Sequence, residues 1–181
     1  MLILLLSGFT QHRAPAVQVV EFSDFSCGYC RQFALEVEPA LRREFVTTGR
    51  VRWTFIATSR AMLTGAEPAA RAADCVAQQK PQAFLAMRAL LFERQRDWLP
   101  ARNREAKLAA YAARQGIPGK PFLTCLRSRA AAQRVAAGNR RAAQMKVRIR
   151  PTFFVNGRRV EGALPLAEFR AVILSALEQQ S

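Results

Sequence analysis

The hydrophobic positions change period twice in the first third of the chain, and each change marks an element. "VQVVEF", Val17 to Phe22, is a β-branched, apolar run of strand length. Farther on, Phe33, Val37, Leu41 and Phe45 recur every fourth position, the stripe of an amphipathic helix. Pro39 falls inside that stripe and should kink it, because a proline has no N–H for the helical ladder. Thr47-Thr48-Gly49 ends the helix, and "VRWTFIA", Val51 to Ala57, returns to a strand pattern. Strand, helix and strand with short connections make a βαβ unit.

From about Met62 to Gln144 the pattern shifts to Ala, Arg, Gln and Leu, punctuated at Pro68, Pro81, Pro100, Gly116, Pro118, Gly119, Pro121 and Gly138. This predicts successive helices joined by short turns, which interrupt the sheet. "TFFV", then Asn156-Gly157, then "RRV" reads as two short strands around a strong hairpin signal. A last amphipathic helix begins near Pro165 and should bury Leu166, Phe169, Val172, Ile173 and Leu177. The predicted organisation is an N-terminal arm or signal remnant over 1–15, a βαβ half over 16–61, a helical insert over 62–145 and a ββα half over 146–181. No repeat or flexible linker divides them.

At 181 residues, half of them hydrophobic, the chain is long enough for one domain with a core, and disorder is excluded as a general reading. The formal charge of +15 is carried mainly by arginine. Arg42-Arg43, Arg102, Arg104, Arg127, Arg129, Arg140-Arg141 and Arg158-Arg159 are spread over every segment, which reads as a solvated basic surface, so no nucleic-acid partner is expected. The apolar run Leu2–Leu6 has no basic residue ahead of it. It is too short for a complete signal peptide and far too short for a membrane span.

The candidate chemistry lies in "SDFSCGYCRQF", Ser23 to Phe33. Cys27 falls where the strand has ended and the helix begins, so its sulfur should face the free amides and the positive dipole end of that helix. Cys30 follows three residues on, one turn down the same face. Such a pair offers one exposed, low-pKa thiolate and one shielded thiol able to close a disulfide on it. A zinc site would need two more ligands, and Cys75, Cys125 and His12 are not paired at ligand spacing.

"VVEFSDFSCGYC", "VEPALRREFVTTGRVR", "AADCVAQQ" with "LLFERQ", and "RPTFFVNGRRVEG" together resemble the DsbA-like branch of the thioredoxin superfamily, the extracytoplasmic thiol-disulfide oxidoreductases. The likeness runs from about Ala16 to the end. It implies a thioredoxin fold, α/β in class, with an inserted all-helical subdomain and no metal or organic cofactor. It further implies that Pro151 is cis and sits against the two cysteines. A buried acid should stand six positions before the first cysteine, at Glu21. Strand parity agrees, since Glu21 shares the face of Val17 and Val19. Beside Cys30 this carboxyl could take and return the thiol proton. Relatives with the insert sometimes carry a second disulfide, for which Cys75 and Cys125 occupy fitting places. Two buried free thiols are the alternative.

The chain also departs from that pattern. Lys146-Val147-Arg148-Ile149-Arg150 precedes Pro151 where a Gly and a Thr or Val are usual, and the Arg150 guanidinium is expected beside Cys27, lowering its pKa. Gly28-Tyr29 between the cysteines resembles the dipeptide of periplasmic disulfide isomerases. The resemblance implies an oxidoreductase, working as oxidant, that acts on cysteine-containing exported proteins outside the cytoplasm. A monomer is expected, with a redox partner that recycles the pair. Open alternatives are a reductase or isomerase, and a non-redox basic binding module on the same scaffold.

Overall fold

A computed structural model of the chain describes residues 16–59 and 66–180. The arm over 1–15 and the junction placed at 61/62 lie outside the described residues. Strand β1 is Val17–Ser23, and the helical run after it is built of α1 (Gly28–Gln32), a π turn (Phe33–Val37), α2 (Glu38–Leu41) and a second π turn (Arg42–Val46). The first π turn ends at Val37, two residues before Pro39, whose missing N–H falls in the first turn of α2. β2 is Val51–Ala57.

Between β2 and the next strand run α3 (Ala66–Gln79), a 3-10 turn (Pro81–Ala83), α4 (Phe84–Glu93), α5 (Gln95–Trp98), α6 (Arg104–Arg114), α7 (Gly119–Arg127) and α8 (Arg129–Gln144). β3 (Thr152–Val155), β4 (Arg158–Glu161) and α9 (Leu166–Glu178) complete the chain. The sheet order is β2-β1-β3-β4, with β1 and β2 parallel and the other neighbours antiparallel. This is the expected βαβ…ββα order with the helices inserted between β2 and β3. Asn156 and Gly157 turn the hairpin with positive φ (47° and 86°), a conformation that asparagine and glycine tolerate better than other residues.

Alternation along β1 gives the sheet two buried faces. Val17 and Val19 enter a core with Phe33, Leu41, Phe45, Phe153, Phe169 and Ile173, contributed by the α1–α2 run, β3 and α9. Phe22 points the other way, to Phe154 and Ala142 of α8. In α9 the fully covered positions are Phe169, Ile173 and Ala176, whereas Leu166, Val172 and Leu177 pack only partly. The insert has its own core, including Phe92, Trp98, Leu108 and Phe122, which continues to Phe25 and Cys30. Gly138 brings α8 onto β2, because a Cβ there would lie 2.5 Å from the Ala57 carbonyl oxygen. The insert therefore packs on both the sheet edge and the cysteine end of β1.

Candidate active site

Cys27 is the N-cap residue of α1, in extended conformation with φ −82° and ψ 125°. Its position is set by the preceding turn. The Asp24 carboxylate accepts hydrogen bonds from the Ser26 amide (2.8 Å) and hydroxyl (2.7 Å), and the Cys27 N–H donates to the Asp24 carbonyl (3.0 Å). The Cys27 sulfur accepts from the Cys30 N–H at 3.4 Å and lies 3.5 Å from the Arg150 carbonyl oxygen. The Arg150–Pro151 peptide bond is cis, which brings that carbonyl to the sulfur.

The two thiols are unbonded here, Cys27 half-buried and Cys30 fully buried. Their environments push them apart. A hydrogen bond from the Cys30 thiol, with the amides of Cys30 and Tyr29, brings Cys27 down to about 6, against burial and the Asp24 charge. Burial, and then the bond to Cys27, drives Cys30 far up. Gly28 and Tyr29 form the first turn between them, and Tyr29 is 69% exposed beside the nucleophile.

Arg150 is held through both its side chain and its main chain. Its Nε donates to Thr58 Oγ1 and its Nη1 to the Val147 carbonyl, both at 3.2 Å. These bonds direct the guanidinium along its own loop and against the end of β2. The Arg150 carbonyl meets Cys27, and the largest stabilisation of the thiolate comes from Cys30, with the amides of Cys30 and Tyr29.

Glu21 is fully buried, and its carboxylate is forked onto Arg88 of α4. Nη2 lies 2.9 Å from Oε1 and 3.0 Å from Oε2, and Trp53 Nε1–H donates to Oε2 at 2.9 Å. Arg88 Nη1 reaches Glu38 Oε2 at 2.6 Å, and Glu38 Oε1 accepts from Arg42 Nε at 2.5 Å. The Arg88 guanidinium also lies over Phe55, 4.4 Å from the ring centre. Burial pushes the Glu21 carboxyl up, aided by Glu38 and opposed by Arg88, while the two carboxylates hold Arg88 above its ordinary value. The first direction favours a neutral acid and the second an ion pair. The forked contact decides for a carboxylate at rest, one that burial makes ready to accept a proton.

Sequence reasoning passed over Arg88 and Glu38, charges buried in apolar helices, and Gln95 of "ERQRDW". The Gln95 side chain is buried and its Nε2 donates to the carbonyls of Phe25 (2.7 Å) and Cys27 (3.1 Å), so α5 fastens the loop that presents the nucleophile. Cys75 of α3 and Cys125 of α7 are joined by a disulfide with Cα atoms 5.9 Å apart. A cavity of about 480 Å³ opens between β2, α3 and α8, lined by residues such as Phe55, Ala73, Val135 and Arg141, and Cys27 is not among them. Among the described residues no helix is long and apolar enough to cross a membrane.

A family model described as Thioredoxin matches residues 11–174. The chain belongs to the thioredoxin family. Disulfide bond formation protein D of Bacillus subtilis is 32% identical over 83 residues, which is 45% of this chain and 36% of that one. The oxidised crystal structure of BdbD from Bacillus subtilis superposes with a TM-score of 0.83 at 25% identity, covering 93% of this chain and 90% of that one. These likenesses place the thioredoxin-family chain among the DsbA-like proteins. A Na(+)/H(+) antiporter NhaA 3 of Salinispora tropica is 36% identical over 168 residues, 91% of this chain. The chain spans about a quarter (24%) of that antiporter's length.

Proposed function

We propose that this DsbA-like chain is a thiol-disulfide oxidoreductase that passes its Cys27–Cys30 disulfide to cysteines of exported proteins. In the donor direction a substrate thiolate attacks Cys27 Sγ, a bond forms between the two sulfurs, and the Cys27–Cys30 bond breaks. Cys30 leaves with the electron pair and takes a proton that comes from solvent through Glu21, which accepts it first and is left as a carboxylate afterwards. A second substrate thiolate then attacks the substrate sulfur of the mixed disulfide and expels Cys27 as a thiolate. Two electrons have moved from substrate to protein, and the substrate holds a new disulfide. A redox partner must later take those electrons and remake the pair.

The observation that carries this reading is the ring of donors on the Cys27 sulfur. The Cys30 N–H at 3.4 Å, with the Cys30 thiol, stabilises the thiolate product, and stabilising the reduced form is what makes a dithiol oxidising. The Arg150 segment, with its carbonyl at the sulfur, supports main-chain docking of the substrate there. The Cys75–Cys125 bond supports an oxidising, extracytoplasmic compartment. The test is oxidative refolding of a reduced, denatured disulfide protein. The oxidised chain should speed disulfide formation and Cys27→Ser should abolish the effect. Insulin reduction without any oxidation would instead assign a reductase.

A further inference from the structure

Ser23, the last residue of β1, carries a polar atom that the fold does not use structurally. It is fully buried, and its hydroxyl oxygen closes no complete hydrogen bond with any protein group. Buried hydroxyls are ordinarily paired, and an exception needs a reason. The main chain at this position is well held, since the Ser23 carbonyl accepts from the Thr58 amide (2.8 Å) and hydroxyl (3.0 Å), so a loose backbone is not that reason.

Ser23 stands two residues after Glu21 on the same strand, and alternation puts both side chains on the face covered by the α1–α2 run. On its other side, the Asp24 N–H reaches the Cys30 sulfur at 3.5 Å, which places that sulfur at the residue following Ser23. Side chains two apart on a strand are neighbours on one face, their roots about 7 Å apart. Ser23 thus stands between Glu21, on its own strand face, and the residue whose amide meets the Cys30 sulfur. Its hydroxyl favours the charged form of Glu21 and of Cys30 alike. Arg88 of α4 and Glu38 of α2 face the same carboxylate, Trp53 of β2 donates to it, and Cys27 of α1 faces the thiol.

We infer that the Ser23 hydroxyl is the bridge over which the Cys30 proton passes to and from the Glu21 carboxylate. This rests on the exchange reading above. When the pair closes, the Cys30 S–H proton moves to Ser23 Oγ as the Ser23 proton moves to a Glu21 oxygen. The Cys30 thiolate then attacks Cys27 Sγ of the mixed disulfide, and the partner sulfur leaves with the electron pair. Opening reverses the path: the proton that Glu21 took up returns through Ser23 to Cys30, and Glu21 is left as the carboxylate of the reduced form. A hydroxyl suits the task because it donates and accepts at once.

The test uses the reduced chain and an aromatic disulfide that releases a coloured thiolate, 5,5′-dithiobis(2-nitrobenzoate). Attack by Cys27 releases the first equivalent, and attack by Cys30 on the mixed disulfide releases the second. Ser23→Ala should leave the first phase unchanged and slow the second by about tenfold or more. It should not lower the melting temperature, since it removes a hydroxyl without a full partner. The Ser23→Ala, Glu21→Gln double variant should be no slower than the slower single variant, as two parts of one path require. A second phase in Ser23→Ala within about twofold of the unaltered chain, or equal slowing of both phases, overturns the bridge. If the unaltered chain releases no second equivalent, the exchange reading falls and takes the bridge with it.

Discussion

Arg88 of α4 holds both carboxylate oxygens of Glu21 of β1, at 2.9 and 3.0 Å, where neither side chain is more than 5% exposed. The contact ties the helical insert to the strand that leads into the cysteine pair. Removing one member of a buried pair leaves the other charge uncompensated, which costs about 3–5 kcal/mol. Arg88→Met should lower the unfolding free energy by about that amount in urea at pH 7. The loss should shrink at pH 5, because Glu21, already pushed up by burial, escapes its cost by protonating. Adding Glu21→Gln to Arg88→Met should recover part of the stability. A pH-independent loss would contradict the ion pair.

The Cys75–Cys125 bond closes a loop of 50 residues within the insert. Cross-linking a loop of that length stabilises by about 4 kcal/mol in the chain-entropy account. The Cys75→Ala, Cys125→Ala variant should lose stability on that scale by urea denaturation and still show the Cys27 thiolate, since the bond lies in the insert. Free alkylation of both cysteines in the oxidised, unfolded chain would contradict the bond.

Cys27, brought down to about 6 from an ordinary 9.0, should react with iodoacetamide at a rate that half-saturates near pH 6, while Cys30 stays inert. The depressed value also links stability to pH. The reduced form gains stability that is fully present above pH 9.0 and is lost as the pH falls through 6. The oxidised form has no such thiolate and should lack this dependence. Denaturation of both forms between pH 5 and pH 9 checks the sign.

Gln95 donates to two buried carbonyls, so Gln95→Leu leaves both without that donor and should cost about 2–3 kcal/mol. The loop it fastens aims the Cys30 and Tyr29 amides at the sulfur, so the Cys27 thiolate absorbance should titrate at higher pH in the variant. A loss of stability with an unchanged titration would make Gln95 a fastening for the fold only.

The elements were legible wherever periodicity carried them. The Phe33–Val37–Leu41–Phe45 stripe, the β-branched runs and the Asn156-Gly157 turn are local signals, and the βαβ…ββα order of elements followed from them. Glu21 was expected inside from the family resemblance, with strand parity in agreement, and it is buried. What faced it could not be read, because Arg88 lies 67 positions away on a helix whose neighbours are apolar. The hydrogen bonds of Arg150 were out of reach for a related reason. A position next to Pro151 says where the backbone runs, but a long side chain goes where acceptors are, and Thr58 and the Val147 carbonyl provide them. Ser23 stands in the cysteine motif with no task legible in the sequence, since a serine gains one only from what surrounds it.

The most direct test of the central claim is the reduction potential of the Cys27/Cys30 pair, measured by equilibration with glutathione and quantified as the reduced fraction. A Cys27 thiolate stabilised to about 6, opposite a Cys30 thiol driven up by burial, should hold the reduced form well below its ordinary free energy. The account expects a potential above about −200 mV, on the oxidising side of the glutaredoxins. A value near about −270 mV, that of thioredoxin, or below it would contradict an oxidant and assign the chain to reduction instead.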